Sequence, residues 1–155
     1  MITQEEAHNL FEYDPVTGSL RYRSNGKIAG SSQNGYRRVK IKGKKYLVHR
    51  IIWLMVYGEW PSNHLDHRDC NRSNNRLENL RLANPHLNKA NEPVRIDNLL
   101  QRKGVTFHRQ TRKYQARIFV NGKSISLGLH HTIDDAAAAY AEAARKHFGE
   151  FARLS

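Results

Sequence analysis

Asn121-Gly122 separates two runs, 114–120 and 123–129, in which apolar and polar residues alternate. An Asn-Gly pair readily takes the left-handed conformations of a two-residue hairpin turn, and a period of two marks a half-buried strand. Val105-Thr106-Phe107 alternates as well, so the last fifty residues predict three antiparallel strands. Thr132 and Asp135 then form an approximate capping box. Beyond it Ile133, Ala137, Tyr140, Ala144 and Phe148 recur at spacings of four, three, four and four, the period of a helix that ends at Gly149. Alternation sends Val105, Phe107, Ala116, Ile118, Val120, Ile125, Leu127 and Leu129 towards that helix. Thr106, His108, Gln115, Arg117, Phe119, Ser124 and Ser126 face away from it, with Arg109, Arg112 and Lys113 at the connecting loop.

Charge narrows the partner. The 155 residues carry 26 Lys+Arg against 14 Asp+Glu, a formal net charge of +12. Residues 21–50 hold ten Lys/Arg and no acid, Arg37, Arg38 and Lys40 among them, and residues 101–131 hold seven and again no acid. Two acid-free basic stretches suit two surfaces that lie along a phosphate backbone. Solvated faces of ordinary domains are the plainer alternative. No apolar run approaches a membrane span, and the first twenty residues show no secretory signal. The one cysteine, Cys70, cannot close an internal disulfide, which fits a reducing compartment. The expected location is the cytoplasm.

The N-terminal part opens with Thr3 and Glu6 as a capping box for a short helix through Phe11, followed by the turn Asp14-Pro15-Val16-Thr17-Gly18. Strands are expected at 19–23, 36–41 and 46–48, with turns at Asn34-Gly35 and Lys42-Gly43-Lys44, and a helix over 49–57 closed by Gly58. Residues 62–91 change character, being rich in Asn, Asp, His and Arg. Asp66 and His67 are adjacent on a short strand, Asn79 follows His67 by twelve residues, and Asn88 and Asn91 share a helix opened by Asn84-Pro85. Carboxylate and amide oxygens suit a hard cation such as Mg²⁺, and a histidine beside it can take a proton from water. Arg68, Arg72, Arg76 and Arg81 can clamp phosphates. A structural zinc site from His64, His67, Cys70 and His86 is the competing reading, although the H-x₂-H-x₂-C spacing is tight for it. His49 reads as a packing or hydrogen-bonding residue.

The central words Val48-His49-Arg50, Leu65-Asp66-His67-Arg68-Asp69, Asn71, Asn74-Asn75-Arg76-Leu77, Asn79-Leu80-Arg81 and Asn88 resemble the HNH (ββα-metal) nucleases of the phage homing type. Leu10-Phe11-Glu12-Tyr13-Asp14 and Thr17-Gly18 resemble the leader of such proteins. The resemblance implies that Asp66 and Asn88 bind a divalent metal, that His67 activates water, and that Asn79 holds the loop that aims His67. It also implies 5′-phosphate and 3′-hydroxyl products. Cys70 stands where a glycine is usual. Gly104-Val105, the run from Lys113 to Ile118, Ser126-Leu127-Gly128 and the Ala-rich helix resemble the plant ethylene-response-factor (APETALA-type) DNA-binding domain. That domain lays a three-stranded sheet in the major groove. Where it carries arginines and tryptophan, this chain has Thr106, His108, Phe119, Ser124 and Ser126.

The expected architecture is therefore α+β: an HNH nuclease domain with basic strands over 1–91, a linker over 92–101, and a sheet-plus-helix DNA-binding domain over 102–155. Catalysis is expected from His67 and Asn79, with Mg²⁺ or Mn²⁺ on Asp66 and Asn88. DNA contacts are expected from Arg37, Arg38, Lys40, Arg68, Arg72, Arg76, Arg81, His108, Arg109, Arg112, Lys113, Gln115 and Arg117. The expected partner is double-stranded DNA, bound by a monomer, with no membrane. A DNA-binding regulator with a silent nuclease fold is the alternative, and an RNA-binding protein rests on charge alone.

Overall fold

A computed structural model describes residues 1–154; Ser155, the last residue of the segment expected over 102–155, lies outside them. The chain forms two compact units, one over Met1–Asn84 and one from Pro85 onward. Both mix helices with small antiparallel sheets of two or three strands. Among the described residues no helix is long and apolar enough to cross a membrane.

The first unit begins with α1 (Gln4–Leu10). Thr3 Oγ1 accepts from Glu6 N at 3.1 Å while Glu6 Oε2 accepts from Thr3 N at 3.0 Å, the reciprocal box its sequence predicts. β1 (Phe11–Asp14) and β2 (Ser19–Tyr22) form a hairpin. Asp14 Oδ1 accepts from Val16 N in its turn, and Gly18 supplies the positive φ of 71°. β1 was hidden in the sequence because it starts on Phe11, the residue to which the helix was expected to run, directly after α1 ends at Leu10. β3 (Ser31–Gln33), β4 (Tyr36–Ile41) and β5 (Lys44–Leu47) make a meander, and α2 (Val48–Tyr57) follows without a break. Gly58, at φ 80°, ends α2 by donating its N–H to Leu54 O. Phe11, Leu20, Val39, Val48, Ile51, Ile52 and Leu54 are the large, fully buried side chains of this unit's core. β6 (His64–His67) and β7 (Leu80–Ala83) form a two-stranded antiparallel ribbon joined by a long polar loop.

The second unit holds α3 (Pro85–Asn91), the three strands β8 (Val105–His108), β9 (Lys113–Val120) and β10 (Lys123–His130), and α4 (Ile133–Phe148). β9 is central in the sheet. Thr132 Oγ1 caps α4 by accepting from Asp135 N at 3.1 Å. Val105, Ala116 and Ile118 on the sheet and Ala136, Tyr140 and Ala144 on α4 are buried, and the alanines allow close approach.

The expected inward face needs correcting at three positions. Phe107, Ile125 and Leu129 are exposed. Phe107 and Ile125 share the inward side with Val105 and Ile118 but lie beyond the cover of a single helix. Leu129 has a sharper cause: the β9–β10 register slips between Ser126 and Leu129, so Leu129 pairs with Gln115. One extra residue reverses every later side chain, and Leu129 joins the outward face.

Candidate active site

The β6–β7 ribbon sets Asp66 opposite Arg81 and His67 opposite Leu80. Asp66 and Arg81 are both buried, at 6% exposure each. Arg81 Nε lies 3.0 Å and Nη2 2.9 Å from Asp66 Oδ2, so a carboxylate that would be costly to bury alone carries its counter-charge from the neighbouring strand.

His67 is buried too, at 3% exposure. Its Nε2 is 3.1 Å from Oδ1 of buried Asn75. An amide oxygen only accepts, so Nε2 carries the proton and the ring lone pair sits on Nδ1. Tyr36 and His49 flank the ring, with centroids 5.9 and 5.0 Å from it. Burial pushes the His67 pKa down, against the opposing pull of Asn75, Asp69 and Asp66, and keeps the ring neutral at pH 7. His49, from the first turn of α2, is desolvated more strongly, and its pKa falls to about 3. That agrees with a packing role for it.

The loop from 68 to 79 is built almost wholly from Asn and Asp hydrogen bonds. Asn79 is its staple: Oδ1 accepts from Asp69 N at 3.1 Å, while Nδ2 donates to Asp69 Oδ1 at 2.9 Å and to Asn74 O at 2.8 Å. Asn74 Nδ2 donates to Asp69 Oδ2 at 2.7 Å. These donors hold the Asp69 carboxyl below its ordinary pKa although its partial burial opposes them. Cys70 N–H donates to His67 O at 2.9 Å, closing a tight turn in which Cys70 has φ 62°. That left-handed value is the physical reason a glycine suits the position.

The basic residues divide by environment. Arg68, Arg72 and Arg76 are exposed around the loop, and Arg72 also lies over the Tyr36 ring at 4.9 Å and donates to Asn34 O. Arg37 spends its guanidinium on the carbonyls of Ala29 and Gly30. Arg38 and Lys40 line a concavity of about 430 Å³ with Lys27, Lys45, Asn25 and Ser31. Arg81 is the inward one, on Asp66.

In the second unit Asn88 is half-buried on α3. His108, Lys113, Gln115 and Arg117 share the outward face of the sheet, and Arg109 and Arg112 are exposed in the loop between β8 and β9. His108 Nδ1 bonds Thr111 Oγ1 at 2.9 Å.

Zinc coordination is not formed: among the described residues no three His, Cys, Asp or Glu side chains gather to hold an ion, and a structural zinc site needs four ligands. Sequence reasoning missed Asn75, Tyr36 and the inward turn of Arg81. The adjacent Asn74-Asn75 offered no way to tell which amide points at a histidine eight residues earlier.

Residues 46–90 match the family model described as HNH endonuclease. A protein of Acanthamoeba polyphaga mimivirus, named an uncharacterized HNH endonuclease, is 36% identical over 110 residues. The alignment takes in 70% of this chain and 56% of that relative, so the chain spans little more than half of its length. No solved structure matches the chain.

Proposed function

We propose that the chain is a divalent-metal-dependent DNA endonuclease of the homing-type HNH kind, cutting with the β6–β7 site and held on duplex DNA by the sheet of the second unit. The observation that carries this reading is the neutral, buried His67, its Nε2–H given to Asn75, next to a carboxylate held by Arg81. The match of residues 46–90 to the HNH endonuclease model supports it.

His67 is the catalytic residue. Its Nδ1 takes a proton from water, and the oxygen so formed attacks the phosphorus in line with the departing 3′ oxygen. Tyr36 and His49 keep the imidazole from tipping, and Asn75 fixes its tautomer. Asn79 and Arg81 are positioning residues: the first staples the loop behind His67, the second orients Asp66. The carboxylate of Asp66, in the first unit, and the amide oxygen of Asn88, in the second, are the donor types that would suit a hard divalent ion such as Mg²⁺ or Mn²⁺. Such an ion supplies charge stabilisation at the leaving oxygen. The chain's own residues contribute the rest. Arg68, Arg72 and Arg76 hold the flanking phosphates, and the concavity with Arg38 and Lys40 grips the backbone nearby. Arg109, Arg112, Lys113 and Arg117 of the second unit supply affinity for the duplex, with His108 and Gln115 on the same sheet and loop.

Conversion of supercoiled plasmid tests the reading. Open circles that form with Mg²⁺ or Mn²⁺ and not with EDTA are the expected result, with 5′-phosphate and 3′-hydroxyl ends. A monomer with one such site nicks. Plasmid left intact across varied sequences, while gel shifts show binding, would instead favour a DNA-binding regulator with a silent nuclease fold.

A further inference from the structure

The outward face of the second unit's sheet carries amide, guanidinium, methyl-bearing and aromatic side chains, the kinds of group that contact base edges. Thr106 and Leu129 both pair with Gln115, Arg117 pairs with Ser126, and Phe119 pairs with Ser124. Directly opposed residues in a sheet point the same way, so these seven side chains form three rows on one face. Phe119 is 62% exposed and Leu129 41%, and Leu129 is here only because of the register slip after Ser126. The 101–131 stretch that carries the face contains no acid to repel a phosphate backbone.

Each row has a matching base edge. A glutamine amide pairs with N6 and N7 of adenine, and apolar side chains contact the C5-methyl group of thymine. The outer rows therefore offer an amide flanked by two methyl-bearing groups on one side and a bare aromatic ring on the other. Rows two residues apart are ~7 Å apart along a strand, about two base-pair steps. Arg117, in the middle row, has the reach and charge for a guanine or a phosphate.

We infer that this face selects duplex DNA through thymine methyl groups, with Phe119 and Leu129 as the methyl contacts and Gln115 on the adenine edge, so that the bound site has A·T pairs under the two outer rows. The inference rests on the proposal that the second unit binds DNA. It assigns the selectivity to residues that differ from the arginines and tryptophan of the plant domain.

Deoxyuridine in place of thymine removes the methyl and leaves pairing and phosphates intact. Fluorescence anisotropy of the full chain in EDTA compares an A·T-rich duplex containing thymine with the same duplex containing deoxyuridine. Each buried methyl is worth roughly fourfold in affinity, so with two methyl contacts the thymine duplex binds roughly fifteenfold tighter. In the double variant Phe119→Ser with Leu129→Ser the two duplexes bind alike. Both positions are exposed, so the buried Val105, Ala116 and Ala136 are untouched. Arg117→Ala weakens binding of both duplexes by the same factor. Equal binding of the two duplexes by the unmodified chain, or a preference that survives in the double variant, overturns the selectivity while leaving DNA binding in place. Failure to bind either duplex overturns the DNA-binding proposal itself, and this inference with it.

Discussion

Nε2 of His67 and Oδ1 of Asn75 lie 3.1 Å apart, and both residues are buried in the first unit. The contact decides which ring nitrogen holds the lone pair. Asn75→Leu removes the acceptor, frees the ring to change tautomer, and is expected to slow single-turnover nicking by about 100-fold. Asn75→Asp retains an acceptor oxygen and recovers most of the rate. DNA affinity should be the same in both variants. Equal rates for Asn75→Leu and the unmodified chain would remove Asn75 from the account.

Arg81→Met leaves the buried Asp66 carboxylate without its guanidinium, and such a loss destabilises by about 3–5 kcal/mol. The double variant Arg81→Met with Asp66→Leu removes both charges and recovers much of that stability, yet it does not nick. Urea unfolding followed by tryptophan fluorescence, beside the plasmid assay, separates the two effects. A double variant as unstable as the single one would show that the pair is not the source of the cost.

Burial of His49 gives the first unit an acid sensitivity with a definite window. Its pKa in the folded state is about 3, against an ordinary value of 6.5. Above pH 6.5 folded and unfolded states bind the same number of protons at this site. Between 6.5 and 3 the unfolded state binds more, so stability falls as pH falls, by about 2 kcal/mol at pH 5. His49→Leu should flatten that part of the profile. Unfolding free energies measured from pH 7.5 to 4.5 test it, and an identical slope in the variant would contradict the assignment.

Gly104, at φ 68°, enters β8 where a Cβ would overlap the Tyr140 ring and the Arg117 carbonyl. Gly104→Ala is expected to cost at least about 2 kcal/mol through steric overlap and backbone strain together. A thermal transition unchanged from that of the unmodified chain would contradict the close approach.

The legible parts of the sequence were those in which local chemistry decides the outcome. The Thr3 and Thr132 caps, the hairpin at Asn121-Gly122 and the glycine stop after α2 each depend on residues within one turn of each other. β3 was missed because Ser31-Ser32-Gln33 buries nothing and has no apolar alternation to detect. The β10 register slip was invisible because an added residue carries no signature beyond Gly128, whose φ is 104°. At the site, the placing of Asp66 and His67 on one short strand was readable in the sequence, and the loop-holding place of Asn79 followed from the family resemblance. The burial of Arg81 was not readable, since it follows from which residue a twelve-residue polar loop brings opposite Asp66.

The central claim is that cutting and holding are separate tasks, with His67 performing the first. Parallel measurement of plasmid nicking and duplex affinity on His67→Ala and Arg117→Ala tests it most directly. His67→Ala should abolish metal-dependent nicking with affinity unchanged, while Arg117→Ala weakens binding and reduces its salt slope by about one. Nicking that persists in His67→Ala, or an equal loss of affinity in both variants, would contradict the account.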